Sequence, residues 1–302
     1  MNLTQLAWRV VPRLPRPVAR ALFTLAADVA VATGAKGPRQ LRANLARVVP
    51  DAPPALLRRL TRRGMRRYLR YFCEAFQLSS WSEAEVDAMV TAEGEAEIKA
   101  AMGEDRQVVA ALGHMGNWDL AGAWAARHLA PVVTVAERLK PEAVFQEFLA
   151  MRQQIGLTVI PLDPGGGTFR QLRQTLEGGK PWIAPLLADR DLGRSGVEVD
   201  FFGQRALVAP GPAALALATG RPLTPVSMSR RGRGYVLRFL PPVRLPEDVA
   251  PDRRVEALTQ AWVTALEAEI RRHPADWHML QKVFVADLDL DRLARSRGAG
   301  EA

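Results

Sequence analysis

One histidine in this sequence stands where a histidine can do chemistry. From Val108 to Trp124 the chain reads VVAALGHMGNWDLAGAW. An apolar run ends at Gly113 and His114 follows at once. Gly116 permits a tight turn, and Asn117 is a good N-cap for a helix beginning at Trp118. Ligand sites of α/β sheets lie at the carboxyl ends of the strands, so a histidine flanked there by glycines is presented rather than packed. A neutral imidazole takes a proton from a hydroxyl near pH 7. A carboxylate beside it fixes the tautomer and stabilises the imidazolium, and Asp119 follows five residues on. A plainer role is open to each: His114 as a strand cap, and Asp119 as a first-turn acid favoured by the helix dipole.

Other chemistries fit poorly. The sequence has no G-x-S-x-G nucleophile elbow. Gly165–Gly166–Gly167–Thr168 resembles a phosphate loop but lacks the Walker spacing and its lysine, and it reads as a loop and helix start. The four histidines, His114, His128, His273 and His278, include no H-x-x-x-H pair, and Cys73 is the single cysteine. A cysteine-built metal site, an intramolecular disulfide and a zinc site are therefore not expected. Cys73 sits among apolar residues and reads as core. A reducing cytosol is the expected compartment.

The elements that must position His114 are strands alternating with helices. Strand-like runs cover Gln107–Leu112, Val132–Val135, Thr158–Leu162, Trp182–Leu187, Val197–Phe201, Leu223–Met228 and Tyr235–Leu240. Helical stretches lie at Trp118–Leu129, Ala143–Gln154, Gly167–Leu176, Pro210–Ala218 and Asp252–Arg272. This order predicts an α/β fold with a central, mainly parallel twisted sheet flanked by helices. Arg230 to Gly234 reads as the hairpin turn joining the last two strands.

The N-terminal third is helical instead, over Leu3–Val10, Val18–Ala32, Pro38–Val48 and Ala55–Phe76. In the last of these Arg58, Arg59, Arg62, Arg63, Arg66, Arg67 and Arg70 fall within about half of the helix wheel. Leu57, Leu60, Gly64, Met65, Tyr68, Tyr71, Phe72 and Ala75 lie opposite. This amphipathic face is either plainly solvated or made for anionic lipid or phosphate. The formal charge of +9 over 302 residues is concentrated here: residues 1–70 carry 15 Arg and Lys against Asp28 and Asp51. A local anionic partner follows. The start does not read as a clear signal peptide, since Arg9, Arg13, Arg16 and Arg20 interrupt it. Ala21–Ala35 is too short to span a bilayer and contains Asp28. It is at most an interfacial helix.

His114-x-x-x-x-Asp119 resembles the H-x4-D motif of glycerolipid acyltransferases. The segments GHMGNWD, ADRD (Ala188–Asp191), VEVDFFG (Val197–Gly203), GPAALALATG (Gly211–Gly220) and PADW (Pro274–Trp277) occur in the same order as in the lipid A lauroyl/myristoyl acyltransferase family. The agreement runs from about residue 5 to 285. Within the family the chain is most similar to the actinobacterial phosphatidylinositol mannoside branch, and its Arg- and Ala-rich, Lys-poor composition suits a high-GC genome.

The resemblance implies a single acyltransferase domain. Residues 1–94 would be its membrane-associating helical portion, 95–286 its catalytic core and 287–302 a charged tail. It implies transfer of a fatty acyl chain from acyl-CoA, palmitoyl-CoA foremost, to the 6-hydroxyl of the mannose on the inositol 2-position of phosphatidylinositol mannosides. It also implies a peripheral protein on the cytoplasmic face of the plasma (inner) membrane. No metal or redox cofactor is implied. His114 would be the general base. Asp189, after the strand Trp182–Leu187, is the first candidate for the acid that bonds it, and Glu198 the second. Strand alternation puts Glu198 and Asp200 on one face and Val197 and Val199 on the other. Asp119 would support the loop or the histidine. The tetrahedral intermediate needs a donor: candidates are backbone N–H groups around Met115–Asn117 and the guanidinium of Arg152 or Arg190. Arg190 could instead meet Asp191 or the phosphates of CoA.

Three other functions remain open at this level. One is a lipid A-type transferase with another glycolipid acceptor. A second is a silent anionic-membrane scaffold. The third is a nucleic-acid-binding protein, which would need aromatics interleaved with the arginines. Tyr68, Tyr71 and Phe72 point away from them, so no nucleic-acid partner is expected.

Overall fold

The computed structural model describes residues 3–163, 167–191 and 196–288. Four helices lead the chain: α1 (Leu3–Val10), α2 (Arg16–Ala32), α3 (Lys36–Val48) and α4 (Pro54–Leu78). Next come α5 (Glu83–Met89), β1 (Val90–Glu93), α6 (Glu95–Met102), β2 (Gln107–Leu112), α7 (Trp118–His128) and β3 (Val132–Ala136). The chain continues through α8 (Glu142–Gln154), β4 (Leu157–Pro161), α9 (Gly167–Glu177), β5 (Trp182–Leu187), β6 (Val197–Phe201) and β7 (Gln204–Val208). Last are α10 (Gly211–Thr219), β8 (Leu223–Arg231), β9 (Gly234–Phe239) and α11 (Arg254–Arg272).

The main sheet has seven strands in the order β1-β9-β8-β2-β5-β3-β4. Only the β8–β9 pairing is antiparallel. The expected mainly parallel α/β sheet is thus present. β2 lies between β5 and β8, and all six of its residues are buried. A strand covered on both faces needs a continuous apolar run rather than an alternating one, and Val108–Leu112 supplies it. Its side chains divide between two cores. Val108, Ala110 and Leu112 join Tyr71, Phe76, Leu120, Trp124 and Phe148 from α4, α7 and α8. Val109 and Ala111 face Leu172, Leu176, Leu215, Trp262 and Leu266 from α9, α10 and α11. Each buried Val, Leu or Phe among them contributes roughly 1.5–3 kcal/mol by leaving water.

The sheet already starts at β1, four residues that pair in parallel with β9. β8 and β9 are joined by the expected tight turn, with Gly232 at φ +59°. β6 and β7 form a separate antiparallel hairpin. Glu198 and Asp200 are exposed while Val199 and Phe201 are buried, and a strand with one wet face suits a hairpin laid on α11. The apolar side of α4 packs as predicted, with Met65 beside Ala27 of α2 and Leu41 and Leu45 of α3. Cys73 is buried, and burial pushes its thiol up to about 11, which keeps it a protonated core residue. Gly165 and Gly166 lie outside the described residues. The Thr168 hydroxyl accepts from Asp163 N–H at 2.7 Å and donates to the Pro161 carbonyl at 3.1 Å. Of the expected tail, residues from 289 on also lie outside the described residues. Asp287 itself docks, gripped through both oxygens by Arg47 at 2.7 Å.

Candidate active site

The β2–β5 register builds the site. Leu112 pairs with Leu187, so His114 and Asp189, each two residues beyond, come level at the carboxyl edge of the sheet. His114 Nδ1 lies 2.5 Å from Asp189 Oδ1, and the His114 backbone N–H donates to Oδ2 at 2.9 Å. Trp277 Nε1 donates to the same Oδ2 at 2.8 Å. Asp189 is 0% exposed and the His114 side chain 18%. Burial alone would push the Asp189 carboxyl up. The charge of His114 and these three hydrogen bonds outweigh it and hold Asp189 below the usual carboxylate range. A carboxylate on Nδ1 fixes that nitrogen as the N–H, which leaves Nε2 as the proton acceptor.

The loop from Gly113 to Asn117 is held from several directions. A side chain at Gly113 would bring its Cβ 2.9 Å from Leu266 and 3.1 Å from Asp189 Oδ2. Gly116 adopts φ +62°, and a Cβ there would lie 2.5 Å from the Met228 carbonyl, so both conformation and space demand glycine. Met115 N–H donates to the Gly113 carbonyl at 2.7 Å and Gly116 N–H to the Asp276 carbonyl at 3.0 Å. Both donors are committed to backbone carbonyls rather than aimed at an oxyanion. Buried Met115 also bridges to Trp277. Asn117 caps α7 through Leu120 N–H at 3.1 Å, and its Nδ2 donates to buried Glu74 at 3.1 Å.

Asp119 is buried but does not touch His114. It accepts from Tyr71 Oη at 2.8 Å and from Arg152 Nε at 2.7 Å. Burial works against the Arg152 charge, and Asp119 and Tyr71 beside it more than compensate. Arg152 is therefore a fixed cation at the base of α7. Glu198 stands apart on β6, exposed and ion-paired with Arg205 across the hairpin, because that hairpin turns its acidic face to water. Arg190 is mostly buried and stands 4.0 Å from Glu137. Its Nε has no hydrogen-bond partner among the described residues, and its charge reaches the Tyr68 phenol. Among the described residues no three His, Cys, Asp or Glu side chains gather as they would around a metal.

Four participants escape a reading by motif alone: Trp277, Tyr71, Glu74 and His278. Trp277 lies within PADW, and a buried indole N–H needs an acceptor, which is the one available signal. Tyr71 shows only as a member of an apolar helix face, and Glu74 only as an acid one turn beyond Arg70. His278 is buried against Tyr68 and Trp118. Its backbone N–H donates to the His114 carbonyl at 2.7 Å and its Nε2 meets the Gly116 carbonyl at 3.1 Å. Burial pushes its pKa down to about 3, so it is neutral and braces the loop.

Comparison with known proteins fits this geometry. Residues 2–285 match the family of the bacterial lipid A biosynthesis acyltransferases. The chain belongs to that family. It is an acyltransferase. It is 39% identical over 289 residues to the phosphatidylinositol mannoside acyltransferase of Mycolicibacterium smegmatis, covering 95% of this chain and 92% of that protein. The protein of the same name from Mycobacterium tuberculosis is 38% identical over 296 residues, covering 96% and 90%. In this acyltransferase the similarity therefore embraces the N-terminal helices as well as the sheet.

Proposed function

We propose that the protein moves a fatty acyl chain, palmitoyl foremost, from acyl-CoA to the 6-hydroxyl of the mannose on the inositol 2-position of phosphatidylinositol mannosides. The names of the full-length relatives support the acceptor. One observation carries the chemistry: His114 Nδ1 is occupied by a fully buried carboxylate. Nε2 takes the proton of the sugar hydroxyl as its oxygen attacks the thioester carbon. Asp189 balances the imidazolium that forms. The tetrahedral oxyanion is met by the Arg190 guanidinium, which stands next to the acid in the chain. Collapse breaks the carbon–sulfur bond, and the imidazolium returns its proton to the leaving thiolate. The products are a sugar ester and free CoA. No metal enters.

The acceptor carries its own acyl chains, so the enzyme works at a membrane surface, on its cytoplasmic face. Among the described residues no single helix is long and apolar enough to cross a bilayer. Val18, Leu22, Leu25 and Val29 are 46–61% exposed along one face of α2. Their spacing of four, three and four makes an apolar stripe on one side of the helix. Leu6 and Val10 of α1 are exposed too. A stripe of this kind beside arginines lies in the interface plane, and the N-terminal helices are the portion that would rest there.

The test is incubation of purified protein with palmitoyl-CoA and phosphatidylinositol mono- and dimannosides, read by lipid mass. One palmitoyl is expected on the mannoside, and none with His114→Ala. Thioester hydrolysis without transfer would overturn the acceptor. Equal transfer by the variant would overturn the base.

A further inference from the structure

A polar concavity lies on the same edge of the sheet as His114. It is a cavity of about 380 Å³ between α2, α4 and the β8–β9 turn, lined by Arg20, Arg63, Arg66, Arg67, Arg70 and Arg230. Few carboxylates answer these cations. Arg66 shares Asp28 with Arg62, at 2.5 and 2.8 Å. Arg67 pairs with Asp276 at 2.6 Å, and Arg70 with Glu74 at 2.7 Å. Arg230 Nη1 is 4.0 Å from Glu74 and is a buried donor without a hydrogen bond. Arg20 and Arg63 have no ion pair among the described residues. Burial and the nearby Arg70 push the Arg20 pKa down, and Glu74 only partly offsets them.

The cavity is tied to the catalytic loop. Asp276 accepts Gly116 N–H on its carbonyl, and its carboxylate takes Arg67 and the Arg230 backbone N–H. Gly116 abuts Met228 of β8, and Arg230 follows two residues, about 7 Å, further along that strand. A second concavity of about 570 Å³ along α2 adjoins it through the shared Arg20 and Thr24 and is otherwise lined by Pro17, Ala21 and Leu25, with Asp28 at its edge. The order on the protein is thus a base, an arginine cavity and an apolar groove. The order in a phosphatidylinositol mannoside is a reacting sugar, a phosphodiester and acyl chains.

We propose that the arginine cavity between α2, α4 and the β8–β9 turn binds the phosphodiester of the acceptor lipid, with its acyl chains along α2 and its sugar toward His114. This rests on the acceptor assignment above. Guanidinium groups suit the site, since they present planar pairs of donors to phosphate oxygens.

The test uses the full chain with Arg20→Gln/Arg63→Gln. Neither arginine has a carboxylate to strand, and the single Arg63→Gln, on an exposed residue, serves if the pair does not fold. Three measurements are made, the third being co-sedimentation with phosphatidylinositol-containing vesicles. The first is protection of the protein against thermal unfolding by glycerophosphoinositol, a water-soluble phosphodiester. The second is steady-state transfer in neutral detergent micelles. Wild type should be protected and the variant not. KM for the mannoside should rise roughly tenfold to hundredfold, while KM for palmitoyl-CoA stays where it was. A rise in KM for palmitoyl-CoA instead would give the cavity to the phosphates of the donor. Weaker vesicle binding with unchanged KM values would give it to bulk anionic lipid. Either result overturns the proposal. Protection of wild type alone, with no mannoside acylated, would keep the phosphate site and remove the acceptor. Acylation with equal KM in both proteins would keep the acceptor and remove the site.

Discussion

The His114 loop and the arginine cavity share Asp276, yet their charges are matched differently. Around His114 three buried carboxylates are each met by two or three donors. Asp189 takes three N–H groups. Asp119 takes Tyr71 and Arg152, and Glu74 takes Arg70, Asn117 and Tyr235. In the cavity six guanidinium groups face three carboxylates, one of them also held by Arg62. A reacting centre gains from being complete before substrate arrives, because nothing then has to reorganise in the transition state. A binding surface gains from being incomplete, because the ligand supplies the missing charge. The first region should therefore fail through chemistry when altered, and the second through affinity.

The largest effect is expected at the base. His114→Ala should lower kcat by about 10³–10⁴-fold while leaving the circular dichroism of the folded protein intact. A loss confined to KM would break the contrast at once. Asp189→Asn comes next. Both N–H groups that donate to Oδ2, from His114 and Trp277, would meet an amide able to satisfy them only if its NH2 turned toward His114 Nδ1. The imidazole would then have to put its proton on Nε2, the wrong nitrogen. A fall in kcat of about 10²–10³-fold is expected, with KM for either substrate changed little.

How much of this was legible in the sequence follows from contact distance along the chain. The strand, the two glycines, His114 and the Asn117 cap lie within one short segment, and they read directly. Asp189 was reachable because an acid just past an apolar strand sits on the edge where His114 sits. Trp277 is 88 residues from its partner Asp189, and Glu74 is 43 from Asn117. Such pairs are set by how α4 and the PADW segment pack, which no local pattern encodes. Glu198 illustrates the opposite case. Its alternation was read as built, but alternation does not say which element covers the strand, and here the acidic face meets water. β1 (VTAE) and β7 (QRALV) are short and bury no alternating set of residues, so periodicity does not declare them.

The third effect is on stability and tests how completely the loop is closed to charge. His278 has its pKa pushed from 6.5 down to about 3 by burial. In the unfolded chain it binds a proton below pH 6.5, whereas in the folded protein it stays neutral down to about pH 3. The unfolded state therefore holds more protons across this window, and stability falls as pH falls, by about 1.4 kcal/mol for each unit. Asp189 adds to the loss only below its ordinary 3.8, since its folded pKa is lower still. Urea denaturation at pH 7, 6 and 5 should show the decline. His278→Gln, which keeps a donor for the Gly116 carbonyl, should flatten it. An equal slope in the variant would place the sensitivity elsewhere.

The smallest effect belongs to the outer arginines and sharpens the other half of the contrast. Arg58 and Arg59 are exposed on α4 and do not line the cavity. Cations near an anionic bilayer contribute about 1 kcal/mol each. Arg58→Gln/Arg59→Gln should therefore weaken sedimentation with phosphatidylinositol-containing vesicles by roughly tenfold to thirtyfold at low salt. The difference should shrink as ionic strength approaches 1 M, where screening reaches about 3 Å. In neutral detergent micelles the same variant should turn over like wild type, because these two side chains reach neither His114 nor the cavity. A loss of activity there would mean that the whole face of α4, and not only the inward arginines, takes part in holding the acceptor.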